Sequence, residues 1–191
     1  DERLGFEATP GAGADVEMWI LGSSLYGAQV AAALGLPYAF ASHFAPDMLD
    51  EALAVYRRNF RPSERLDRPY AMAGFNIFAA ETRDEAELIA TSMMQSVIAL
   101  RTGRPGRLQP PQRGYREALP PQGQAMIAQF LSASAIGTKE DAARGLADFV
   151  NRTRVDEVIV SGMIFDHEAR KRSFAIAAAA ALEIAAEAPV T

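Results

Sequence analysis

Residues 18–24, MWILGSS, set a glycine and two hydroxyls directly behind an apolar run, and an alanine-rich helical pattern follows at once. In a parallel α/β protein the carboxyl end of a strand and the start of the next helix form the rim where ligands bind. A glycine there lets backbone come close to a ligand. The unpaired N–H groups of a helix's first turn, added to its macrodipole, suit a phosphate. Gly22-Ser23-Ser24 therefore reads as a phosphate cradle that needs no lysine. The simpler reading is that Ser23 or Ser24 only caps the helix, a common role for serine. The two are compatible, because a capping serine can also bond a phosphate oxygen.

Other residues offer less. His43 follows the second apolar run and is a candidate for proton transfer, against scaffolding as the plainer reading. Asp166-His167 with Arg170 opens the last helical pattern, where an aspartate cap with solvated charges is the plainer reading and rim chemistry or an interface ion pair the other. Arg101, Arg104, Arg107 and Arg113 decorate a loop; they are solvated, or one reaches an anionic group when the loop closes. Asn76 is a polar residue in an otherwise apolar strand and needs partners if buried, for which a position facing a ligand is one solution. With two histidines and no cysteine, a metal site is not expected.

The elements that must position these residues alternate. Glu17–Leu21 reads as a strand, Ser24–Leu34 as a helix, and Tyr38–Ser42 as a second strand after the break at Gly35-Leu36-Pro37. A helix starts near Pro46, and Tyr70–Ala80 is a longer apolar strand. Thr82-Arg83-Asp84-Glu85 has capping-box spacing ahead of another helix. Residues 102–123 are rich in Pro, Gly and Arg and read as a functional or disordered loop. A short helix over 124–131, a helix from Thr138, a strand over 157–160 and a last helix from Asp166 or His167 complete the pattern. Strands separated by helices favour a parallel sheet with right-handed crossovers, and apolar runs without polar alternation suit strands covered on both faces. The sequence thus predicts an α/β fold with four strands, as part of a (β/α)8 barrel or as an open sheet.

The composition is that of an ordinary globular chain: 191 residues, 49% hydrophobic, 23% charged, formal net charge −5. No basic footprint for nucleic acid is present, and no stretch reads as a signal peptide or membrane span. A soluble, cytoplasmic protein is the expectation.

The runs WILGSS, GLPYAFASHF and IFDHEARKRSF, in this order, closely resemble bacterial luciferase-like flavin-dependent monooxygenases, which are TIM barrels. The resemblance runs from about Val16 to the C-terminus. It implies that strands 5–8 of the barrel are MWILG, YAFAS, AMAGFNIFA and EVIVS. Residues 1–15 are then a connector and 16–191 a partial TIM-barrel domain, the C-terminal half, with a family-type inserted segment at about 82–137 shielding the site. The family likeness assigns flavin phosphate binding to Gly22, Ser23, Ser24 and the amides of Leu25 and Tyr26. It implies reduced FMN reacting with dioxygen, one oxygen atom entering a small organic substrate and the other leaving as water. The flavin is reduced by a separate NAD(P)H-dependent flavin reductase or by a nicotinamide directly. A deazaflavin hydride-transfer enzyme and a non-catalytic flavin- or phosphate-binding module are the alternatives. The missing first four βα units imply a fragment, inactive alone, that forms a homodimer or associates with the absent N-terminal half.

Overall fold

A computed structural model describes residues 9, 11 and 13–187; the connector over 1–15 falls largely outside the described residues. Five strands and seven helices follow one another as β1 (Ile20–Gly22), α1 (Leu25–Leu34), β2 (Tyr38–Phe40), α2 (Leu49–Asn59), β3 (Ala71–Ala79), α3 (Arg83–Arg101), α4 (Tyr115–Ala118), α5 (Pro121–Phe130), β4 (Ser134–Gly137), α6 (Lys139–Thr153), β5 (Glu157–Ser161) and α7 (His167–Glu187). All strand pairs are parallel. The α/β alternation and parallel sheet are as the sequence indicates.

The strand count is not. Five strands stand where four are expected, and the extra one comes from inside the segment read as an inserted lid, 82–137. That corrects the description of four barrel strands plus a separate cover. The cause is the length of β3. Its nine residues outrun the three of β2, and the edge beyond would expose unpaired N–H and C=O groups. β2 pairs with Ala71–Ala73, and β4 takes up the same edge at Asn76–Ala79. On the other edge β5 pairs with Met72–Asn76. Past its end the Ser173 hydroxyl of α7 accepts the Ala79 N–H at 2.9 Å.

The two faces of the sheet are covered differently. On the outer face Tyr38, Phe40, Phe75 and Ile77 pack against α1, α2, α6 and α7, with Phe75 and Phe149 rings 4.7 Å apart. Burying side chains of this size is worth roughly 1.5–3 kcal/mol each. On the inner face Phe78 joins Ile89, Met93 and Met94 of α3 and Ile127 and Phe130 of α5 in a second core. The segment 82–137 is therefore bonded to the sheet and packed on it. α1 ends at Gly35, whose φ of 61° closes the helix with Leu36 N–H on the Ala31 carbonyl.

Candidate functional site

The carboxyl ends of the strands and the helix starts behind them lie on one rim, because every strand runs the same way. At the first rim position Ser24 is the N-cap residue of α1, with extended backbone (φ −143°, ψ 166°) and a side chain that makes no capping hydrogen bond. No acid stands in the first turn. Among the described residues, the N–H groups of Leu25 and Tyr26 have no hydrogen-bond partner. The turn itself is held from below. Gly22 carbonyl accepts the Ala41 N–H at 2.9 Å, and the Tyr38 hydroxyl donates to the Ser24 carbonyl at 3.2 Å. Burial pushes the Tyr38 phenol up to about 12, so it remains a donor at any ordinary pH. The side-chain position of Gly22 points at Gly27 of α1, 3.7 Å away, so this glycine serves close helix–strand approach and faces the rim only through its backbone. Ser24 and Tyr26 are exposed, Ser23 and Leu25 half-buried.

The second rim position is built around His43. Ser42, fully buried, donates its hydroxyl to the Gly74 carbonyl at 2.6 Å. Asn76, also fully buried, donates its amide to the His43 carbonyl at 2.8 Å. Residues 42 and 43 are thereby pinned to the inner face of β3. Burial lowers the His43 pKa from its usual 6.5, favouring the neutral ring. Asn76, Ser134 and Ser161 are register partners and share one level of that face. Asn76 Oδ1, Ser134 Oγ and His43 Nδ1 are buried without a partner. Sequence reasoning found His43 and Asn76 but missed Gly74 and Ser134. A lone glycine inside an apolar strand, a known mark of close backbone approach, was the available signal for Gly74.

The remaining candidates disperse. Asp166 accepts the Ala169 N–H at 2.7 Å, which is a helix cap, and Arg170 sits 2.8 Å from His167 Nδ1 in the open. Arg101, Arg104, Arg107 and Arg113 are exposed. A pocket of about 570 Å³ lies between α3 and α4, lined by Asp84, Glu87, Thr91, Arg113 and Arg116 among others, and does not reach the Gly22–Ser24 turn. Among the described residues no group of His, Asp or Glu could hold a metal ion. None of the described helices is long and apolar enough to cross a membrane.

Comparison with known proteins bears on this rim. The family model described as luciferase-like monooxygenase matches residues 3–157. The match begins inside the segment read as a connector and takes in most of the chain, which corrects the reading of it as the C-terminal half of a barrel with likeness starting near Val16. A luciferase-like monooxygenase of Escherichia coli (strain K12) is 50% identical over 168 residues, 88% of this chain and 50% of that protein. The uncharacterized protein YvbT of Bacillus subtilis (strain 168) is 44% identical over 171 residues, 90% of this chain and 51% of its own. The chain thus spans about half the length of the curated relatives it matches. The crystal structure of apo-MsnO8 superposes with a TM-score of 0.74 at 27% identity, over 94% of this chain and 55% of that one.

Proposed function

This chain belongs to the luciferase-like monooxygenase family, and on that premise we propose that it serves flavin-dependent oxygenation of a small organic substrate, holding FMN by its phosphate at Gly22–Tyr26. The observation that carries the site is the start of α1, where free amides, two uncommitted hydroxyls and an acid-free first turn meet. Such a turn fits a dianion: the donors point off the helix end, the macrodipole is positive there, and nothing already neutralises it. Ser23 and Ser24 supply hydroxyls, and Gly22, Leu25 and Tyr26 supply backbone. The deazaflavin alternative gains nothing from the matches described.

Bound reduced flavin supplies the electrons and the activation of dioxygen, chemistry that no side chain offers. The chain's own residues bind, orient and shield. Tyr38 fixes the turn through the Ser24 carbonyl, and the Ala41 N–H fixes it through Gly22. The inner core of Phe78, Ile127, Phe130 and Ile164 keeps water from the top of the sheet. Reducing equivalents come from a partner flavin reductase or from a nicotinamide.

Titration of Ser24→Ala with FMN and with riboflavin tests the site. A hydrogen bond to a charged group is worth ~1.5–3 kcal/mol, so FMN should bind about tenfold or more weakly while riboflavin, which has no phosphate, changes little. Equal changes for the two ligands would remove the assignment.

A further inference from the structure

We propose that Gly74 sets the tautomer of His43, so that the imidazole is a neutral hydrogen-bond donor through Nε2 and is not available as a base. The geometry is a notch. A Cβ on Gly74 would fall 2.0 Å from His43 Nδ1, 2.8 Å from Cγ and 3.0 Å from Cε1. The Nδ1 edge of the ring therefore occupies the space that any side chain at position 74 would take. There Nδ1 is buried, and no described residue bonds it.

What faces Nδ1 decides where the proton sits. The notch offers the Gly74 Cα–H, a weak donor that suits a nitrogen lone pair. The Gly74 carbonyl already accepts the Ser42 hydroxyl at 2.6 Å, and no described acceptor stands within hydrogen-bond reach of Nδ1. A proton on Nδ1 would be buried unpaired, a loss on the scale of a missing hydrogen bond. A proton on Nε2 meets no such obstacle: that nitrogen has no partner among the described residues and is not among the buried atoms. The backbone of His43 is held by Asn76 on the His43 carbonyl and, next to it, by the Ala41 carbonyl, which accepts the N–H groups of Phe44 and Ala45, so the ring is carried to the notch from a fixed base. Gly74 and Asn76 are thus positioning residues, and His43 is the group they present.

The consequence for chemistry is a division of labour. With Nδ1 closed off and Nε2 protonated, His43 donates to an acceptor such as a ring carbonyl, a ring nitrogen or a substrate oxygen. That the acceptor belongs to a bound flavin or its substrate rests on the reading given above; the tautomer does not.

The test is a long-range proton–nitrogen correlation on protein labelled with 15N-histidine, using His167→Gln so that only His43 reports. The expected pattern is a pyridine-type Nδ1 and a pyrrole-type Nε2 without averaging. Gly74→Ala should collapse it to the solvent-averaged pattern of an expelled ring and return the His43 pKa towards about 6.5. A pyrrole-type Nδ1, or an averaged pair before any change at position 74, overturns the proposal. If Gly74→Ala does not fold, the pattern at unsubstituted Gly74 decides alone. FMN titration of the same sample separates the two readings: the expected tautomer without FMN binding sinks the flavin site only, and FMN binding with the opposite tautomer sinks this proposal only.

Discussion

The starts of α1 and α6 are built from similar chain, a parallel strand ending in glycine and then a hydroxyl residue, yet they are finished in opposite ways. At α6 the Asp141 carboxylate accepts the Thr138 N–H at 3.1 Å, Glu140 adds a second acid, and Arg83 from the start of α3 bridges to Asp141 at 2.6 Å. The positive end of that helix is neutralised from within the protein. At α1 neither an acid nor a capping side-chain bond is present, although a good N-cap is worth typically ~1 kcal/mol. The contrast teaches that the bare start of α1 does not follow from the architecture, since another helix start on the same rim shows how the same chain geometry closes itself.

The sharpest way to break the comparison is to make α1 resemble α6. Ser24→Asp adds a capping acid, so thermal melting should rise by about 2–4 °C for ~1 kcal/mol gained. A carboxylate beside the phosphate costs ~4 kcal/mol at about 4 Å with an effective dielectric of ~20, so FMN affinity should drop by at least about a hundredfold in a fluorescence titration. Retained FMN binding with the higher melting point would separate the bare cap from phosphate recognition.

The next change works on α6. The Thr138 amide, backed by Arg83, holds the Asp141 carboxyl below its ordinary 3.8. A depressed folded pKa contributes stability that is present above 3.8 and is lost as pH falls through the folded value. Asp141→Asn should flatten that part of an acid-unfolding curve, lower melting at neutral pH and leave FMN affinity alone. An equal effect on FMN would mean the two helix starts are coupled. The smallest effect belongs to Tyr38→Phe, which takes one neutral hydrogen bond from beneath the α1 turn. Net worth of ~0.5–1.5 kcal/mol on the turn, shared between both states, should weaken FMN about two- to threefold by titration.

Much of this was legible in the sequence for local reasons. Apolar runs bounded by Gly and Pro mark β1, β2, β3 and β5, and the Thr82 and Asp166 caps follow from spacing along one turn. The start of α1 was legible too, because glycine and serines at a strand end carry their meaning locally. β4 was not. Ser134–Gly137 is four residues with a serine and a glycine, and its reason for being a strand lies 58 residues away in the uncovered edge of β3. The His43 notch was hidden for the same reason, since Gly74 matters through a ring 31 positions earlier in the chain.

The sharing of one β3 edge by β2 and β4 also fixes what can swing. Residues 82–137 are riveted at their far end by a ladder and along their helices by the inner core, and Pro110 and Gln112 are fastened to α3 through Gln95 and Thr91. A hinged door made of the whole segment would have to tear hydrogen bonds from its own frame. The loosest stretch is 105–109, because Thr102, Gly103 and Arg104 are still bonded to the end of α3, so a swing there would move a few residues at the sill and leave the panel in its frame.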